Sequence, residues 1–193
     1  MSANTPSPAS PEASVQHVPV LLVGGPPDWD GKTLSGVYTQ ADLTGPRESL
    51  GTYLISSGVP DDHPDPGARA VYEPAPEPGA ANVWFFRGWF PVGPHDPELR
   101  TPARETDVDV VLARYGLPAA FTPVGTPGET LSVQRVLAHW SATGEDDLAP
   151  DVWHVATPAG ADWCLSDHGG GRWTGGELPA LPPARQEHPD LLG

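Results

Sequence analysis

Short apolar runs broken by turn residues dominate the first half of the chain. Runs at 18–23, 51–56, 69–73 and 83–90 are rich in Val, Ile, Tyr, Phe and Trp and are bounded by Gly, Pro and Asp, a pattern that predicts β-strands. In Arg69-Ala70-Val71-Tyr72-Glu73 the alternation puts Ala70 with Tyr72 on one face and Arg69, Val71 and Glu73 on the other, as in a half-buried antiparallel strand. The run Val83-Trp84-Phe85-Phe86-Arg87-Gly88-Trp89-Phe90 is the most aromatic segment. Because neighbours in a strand alternate faces, one set can enter the core while the other covers a loop or a partner.

The pattern changes after residue 105. Thr106 offers an N-cap, and Asp107 and Asp109 suit the positive end of a helix. Val108, Val111, Leu112 and Tyr115 fall at i, i+3, i+4 and i+7, with Gly116 and Pro118 as a stop, so a helix is predicted there. Residues 129–143 fit two templates. Val133, Val136, Leu137 and Trp140 form a helical stripe, while Leu131, Val133 and Leu137 also alternate as a strand would; length and the closing Gly144 favour helix. Residues 151–157, a turn at Pro158-Ala159-Gly160 and residues 162–166 read as a hairpin, with Trp153 and Trp163 available for cross-strand packing. The fold class expected is therefore α+β and strand-rich, built of short antiparallel hairpins and meanders with one or two helices in the C-terminal half.

Punctuation suggests the organisation. Residues 1–17, mostly Ser, Pro, Ala and Glu, read as a disordered arm, 18–91 as a small β-rich subdomain, and 92–104 as a Pro-rich linker or loop. Residues 105–178 read as an α+β subdomain and 179–193 as a Pro-rich tail.

Charge narrows the partners. Ten Lys and Arg against 25 Asp and Glu leave a formal net charge of −15 in 193 residues, which repels phosphate backbones and anionic membrane surfaces. Cys164 is the only cysteine, which excludes an internal disulfide and a multi-thiolate zinc site. No run approaches the roughly 18 apolar residues of a membrane span, and the first residues lack a basic, apolar leader, so cytoplasmic residence is expected.

Candidate chemistry is sparse. The segment Val20-Leu21-Leu22-Val23-Gly24-Gly25-Pro26-Pro27-Asp28-Trp29-Asp30-Gly31-Lys32-Thr33 imitates a phosphate-binding loop. However, Pro26 stands where the motif needs glycine, and Asp28 and Asp30 would repel the anion, so a strand followed by turns is the better reading. Three acid–histidine pairs, Asp62-His63, His95-Asp96 and Asp167-His168, could assemble a metal site, yet each lies in a turn-rich loop and nothing in the sequence brings them together. His139 and His154 sit within apolar patterns that suit core residues better than a catalytic base. Cys164, between Trp163 and Leu165, suits packing better than attack. No catalytic residue, metal or cofactor is expected.

The stretch from Val23 to Leu34, together with Tyr53, Arg69-Ala70-Val71-Tyr72-Glu73-Pro74 and Trp84, resembles small uncharacterised proteins of actinobacteria and their phages. These begin with a strand ending Gly-Gly-Pro, followed by an Asp-Gly turn and later a Tyr-containing strand; here Trp29-Asp30 is inserted into that spacing. The resemblance covers about residues 20–90 and implies a small β domain, with no activity attached.

Seven tryptophans are many for this length, and a small β-rich fold does not easily bury them all. Trp29, Trp84, Trp89, Trp163 and Trp173 are therefore candidates for a partner-binding surface, since Trp is enriched in binding hot spots. The functional expectation is a non-enzymatic accessory or protein-interaction protein with a basic or neutral partner, of oligomeric state open from sequence. The alternatives are a metal-dependent hydrolase or isomerase using the His and Asp loops, and an acidic mimic of nucleic acid.

Overall fold

The computed structural model describes residues 16–74, 80–126, 128–141 and 150–180. Most of the expected N-terminal arm and C-terminal tail lie outside the described residues, although His17 already belongs to the first strand.

Two sheets make up the described chain. The first contains β1 (His17–Val23), β2 (Thr33–Thr39), β3 (Thr52–Ile55), β4 (Arg69–Pro74) and β5 (Val83–Phe90), in the order β2-β1-β5-β4-β3. Strands β1 and β5 run parallel; the other pairs are antiparallel. The second sheet contains β6 (Thr106–Leu112), β7 (Pro118–Pro123), β8 (Leu131–Ser132), β9 (Arg135–Ser141), β10 (Asp151–Ala156), β11 (Asp162–Asp167) and β12 (Trp173–Glu177). Its order is β8-β7-β6-β12-β11-β10-β9, antiparallel throughout.

Among the described residues the expected helices are absent, and the α+β class is corrected to nearly all β. Among the described residues the helical pieces are three-residue 3-10 turns. Residues 106–112 form β6 because Val108, Val110 and Val111 are β-branched and the period is two. Val108 is buried between exposed Asp107 and Asp109, while Val111, Leu112 and Tyr115 of the supposed helical stripe are exposed. Tyr115 and Gly116, both at positive φ, turn the chain into β7. Residues 129–141 become β8 and β9, since β10 supplies a ladder of backbone partners along one side of β9. Gly144, which favoured helix, lies outside the described residues.

Strand β5 joins the two halves. Val83 and Phe85 point into one apolar cluster with Val108, Phe121, Trp153 and Leu165 of the second sheet, while Trp84 and Phe86 point into another with Val20, Leu22 and Tyr72. Strict alternation would return Trp89 to the face of Phe85. Instead Phe86 pairs with Tyr72 and Gly88 with Val71, so Arg87 is the extra residue of a bulge and Trp89 rejoins Trp84 and Phe86. Gly88 is required there: at φ +148° a Cβ would run into the Asp96 carboxylate, which accepts from the N–H groups of Trp89 (3.1 Å) and Gly93 (3.0 Å).

The sheets also meet through the backbone. Gly24 and Gly25, both at positive φ, end β1, and the Gly25 N–H donates to the Leu137 carbonyl of β9 (2.9 Å). A Cβ on Gly24 would collide with that same carbonyl.

Candidate functional site

The phosphate-loop look-alike is a self-satisfied turn. Asp30 accepts from the Gly24 N–H (2.7 Å), so the backbone donor that an anion would need is already used. Trp29 donates to the Ile55 carbonyl (2.8 Å). Asp28 ties down the loop after β3: burial opposes its charge, but the Ser57 N–H and the Ser56 and Ser57 hydroxyls hold its pKa below the ordinary value.

Two of the three acid–histidine pairs do come together. His95 Nε2 lies 2.5 Å from Asp62 Oδ2, and buried His63 donates from Nε2 to the Pro91 carbonyl (3.0 Å). Asp96 is buried beneath them; desolvation raises its pKa while the Gly93 and Trp89 N–H groups pull it down. These groups act as braces for the loops at 61–66 and 91–97. The third pair is held apart from them: His168 contacts the Thr174 hydroxyl (3.0 Å), which donates to Glu105. Among the described residues, no group of three His, Cys, Asp or Glu side chains is placed to hold a metal ion.

The tryptophans are not where a contact surface would need them. Trp84, Trp89 and Trp173 are buried, and Trp29 and Trp163 are half-buried against the two apolar clusters, so none of the five candidates is exposed. Trp84 and Trp89 are drawn inward by β5, both of whose faces pack into apolar clusters. The exposed apolar side chains that do gather lie around the edge strand β3: Tyr53, Ile55, Phe90 and Leu99, with the Tyr53 and Phe90 rings 5.6 Å apart. Sequence reading passed over them because isolated apolar residues in short strands carry no sign of which face is covered. A shallow hollow of about 200 Å³ beside them contains Arg87, held between Glu73 and Glu98.

A larger cleft, of about 280 Å³, opens where the two sheets meet. The Gly25-Pro26 turn and Pro60 border it, and Phe86 and Trp89 of β5 give it an aromatic side. Polar groups enter from the second half: Arg100 from the segment before β6, Arg135 from β9, His154 from β10 and Asp162 from β11, with His95 near them. Each of the basic side chains Arg100, Arg135 and His95 there faces a carboxylate. Arg100 Nη2 donates to Asp162 (3.1 Å) and to the Pro179 carbonyl (3.2 Å), Arg135 approaches Asp30 (3.5 Å), and His95 meets Asp62.

His154 is the unusual member. It is 1% exposed, its ring stands edge-on to Trp140 at 4.8 Å, and its Nε2 has no hydrogen-bond partner in the protein. Burial first, and the Arg100 charge second, push its pKa down to about 3, with a hydrogen bond to the Arg100 backbone opposing, so the ring is neutral at physiological pH. Arg100 Nε is likewise buried and unpartnered. Cys164, opposite His154 in the β10–β11 ladder, is buried with its thiol pushed up to about 11, which makes it a packing residue.

The chain matches no family model, and neither a curated protein nor a solved structure is found similar to it. Among the described residues, no helix is long and apolar enough to cross a membrane.

Proposed function

We propose that the protein is a non-enzymatic binding protein whose cleft between the two sheets takes a small molecule. One observation carries the reading: a buried, neutral histidine with an unused ring nitrogen stands in a cleft with an aromatic side and paired charges. An unmet polar atom in the interior costs on the order of 1–3 kcal/mol, so a bound group that meets it gains that much. The volume is at the lower end for small-molecule sites, which favours a ligand of one ring. Cys164, the one thiol near His154, is buried with its pKa pushed up to about 11 and so packs rather than attacks. Nuclear magnetic resonance with a set of one-ring aromatic compounds tests this. The Trp89 indole and Phe86 ring signals are expected to shift, and no shift at millimolar ligand would remove the proposal.

A second reading, docking of an extended basic segment along β3, is favoured by the exposed Tyr53, Ile55, Phe90 and Leu99 on a chain of net charge −15. Titration with a Lys-rich peptide of alternating apolar residues would then shift Ile55 and Phe90 signals. Unchanged spectra would exclude it.

A further inference from the structure

The second sheet covers only part of one face of the first. Val83 and Phe85 of β5 meet it there, and Arg87, 5.9 Å from the centre of the Trp140 ring of β9, stands at the border. Past the bulge the face continues as two cross-strand rows, Tyr53-Val71-Gly88 and Ile55-Arg69-Phe90, because side chains two apart on a strand share a side. Tyr53, Ile55 and Phe90 are at least 60% exposed, as are Val92 and Leu99 from the segment after β5. Gly88 has no side chain to fill this block. The hollow of about 200 Å³ is lined by it, by Val71 and by the four exposed side chains Tyr53, Phe90, Val92 and Leu99.

That lining selects its occupant. The apolar wall, with the Tyr53 and Phe90 rings 5.6 Å apart and near perpendicular, suits a flexible hydrocarbon stem, and aromatic faces attract a cation at its end. Glu73 and Glu98 are each about half exposed while they hold Arg87, so both carboxylates keep lone pairs for an incoming donor. With the Asp96 carboxylate against Gly88, three acids there face two bases, Arg87 and Arg69, and the local balance is negative, as is the chain at −15. The planar fork of Arg87 already spans Glu73 and Glu98, and the single acceptor positions left suit a compact ammonium better than a second guanidinium. An apolar side chain in the same place would strip water from those carboxylates and return no hydrogen bond. We infer that the hollow takes one lysine side chain of a partner's extended segment, its stem against Tyr53, Phe90, Val92 and Leu99 and its ammonium donating to Glu98. This rests on the reading of β3 as a docking strand above.

The test titrates three peptides of one design into the full chain and follows the Tyr53, Ile55 and Phe90 signals by nuclear magnetic resonance. The parent is a capped Thr-Val-Thr-Lys-Thr-Val-Thr, and the other two carry norleucine or acetyl-lysine in place of its lysine. The parent is expected to bind at least about tenfold more tightly than either analogue, the value of one charge-assisted hydrogen bond. Salt should shrink that preference, since the carboxylates are half exposed. Glu98→Gln should reduce it to below about threefold. Equal binding of the norleucine or acetyl-lysine peptide, or an unchanged preference in Glu98→Gln, would overturn the lysine inference and leave docking along β3 standing. Shifts of the same signals with protein concentration and no peptide would give the face to a second copy and overturn the inference as well. If neither these peptides nor a Lys-rich one moves Ile55 or Phe90, both readings fall.

Discussion

His139 and His154 pose one electrostatic problem in two settings. Each is buried, at 4% and 1% exposure, each has an Nε2 without a partner, and each has a pKa pushed down to about 3, by burial first and then by a nearby arginine, Arg87 or Arg100. Their surroundings differ. His139 is enclosed by aromatic rings, with Trp153 at 3.9 Å and Phe85 at 5.2 Å, inside the apolar cluster of the second sheet. His154, one strand over, borders the cleft between the sheets beside Arg100 and Asp162. An orphaned ring nitrogen therefore marks a site only where space and complementary polar groups accompany it; in a closed wall it is the cost of packing a flat ring.

The largest way to break this contrast is to open the wall. Trp153→Ala should cost about 3–5 kcal/mol, as for other buried aromatic truncations, and expose His139 to water. Urea unfolding should report the loss, and the His139 titration should move back towards the ordinary range. A stability change below about 1 kcal/mol would show that Trp153 does not close the cluster.

Acid reads both histidines together. Above about pH 6.5 each ring is neutral folded and unfolded, and stability is complete. As pH falls below 6.5 the unfolded chain binds protons that the folded chain refuses until about pH 3, so stability declines with falling pH. The loss is about 2 kcal/mol per histidine by pH 5. Asp96 and Asp151 have pKa values raised by burial and act with the opposite sign, flattening the curve where carboxylates titrate. Denaturant midpoints that stay constant between pH 7 and 5 would contradict buried neutral rings.

The smallest effect separates the two. His139→Leu removes an unmet polar atom without touching the cleft, and should raise stability at pH 7 by about 1 kcal/mol, halve the acid slope and leave the binding of one-ring aromatic compounds unchanged. Weakened binding in this variant would mean that the two settings are coupled after all.

How much of this the sequence revealed depended on the physical signal. Strands β1, β3, β4 and β5 and the β10–β11 hairpin were legible because turn residues bound short β-branched and aromatic runs. Strand β6 was misread because Val108, Val111, Leu112 and Tyr115 happen to fit a helical spacing; the β-branched residues at 108, 110 and 111 were the better guide. Burial of the tryptophans is not legible in the sequence, since it follows from a second sheet covering the other face of β5, and the side on which Trp89 packs is set by a bulge at Arg87 that no pattern announces. His154 was noted as a core residue. That Arg100 and Asp162 would stand beside it follows from the meeting of two sheets, which local periodicity does not encode.

Strand β5 has a consequence for synthesis. Both of its faces are apolar, and the partners of Val83 and Phe85 lie on strands that leave the ribosome after it. Until β6 to β12 have emerged, the first sheet holds a bare greasy flank, so the nascent first half is the form most exposed to self-association and to chaperone capture.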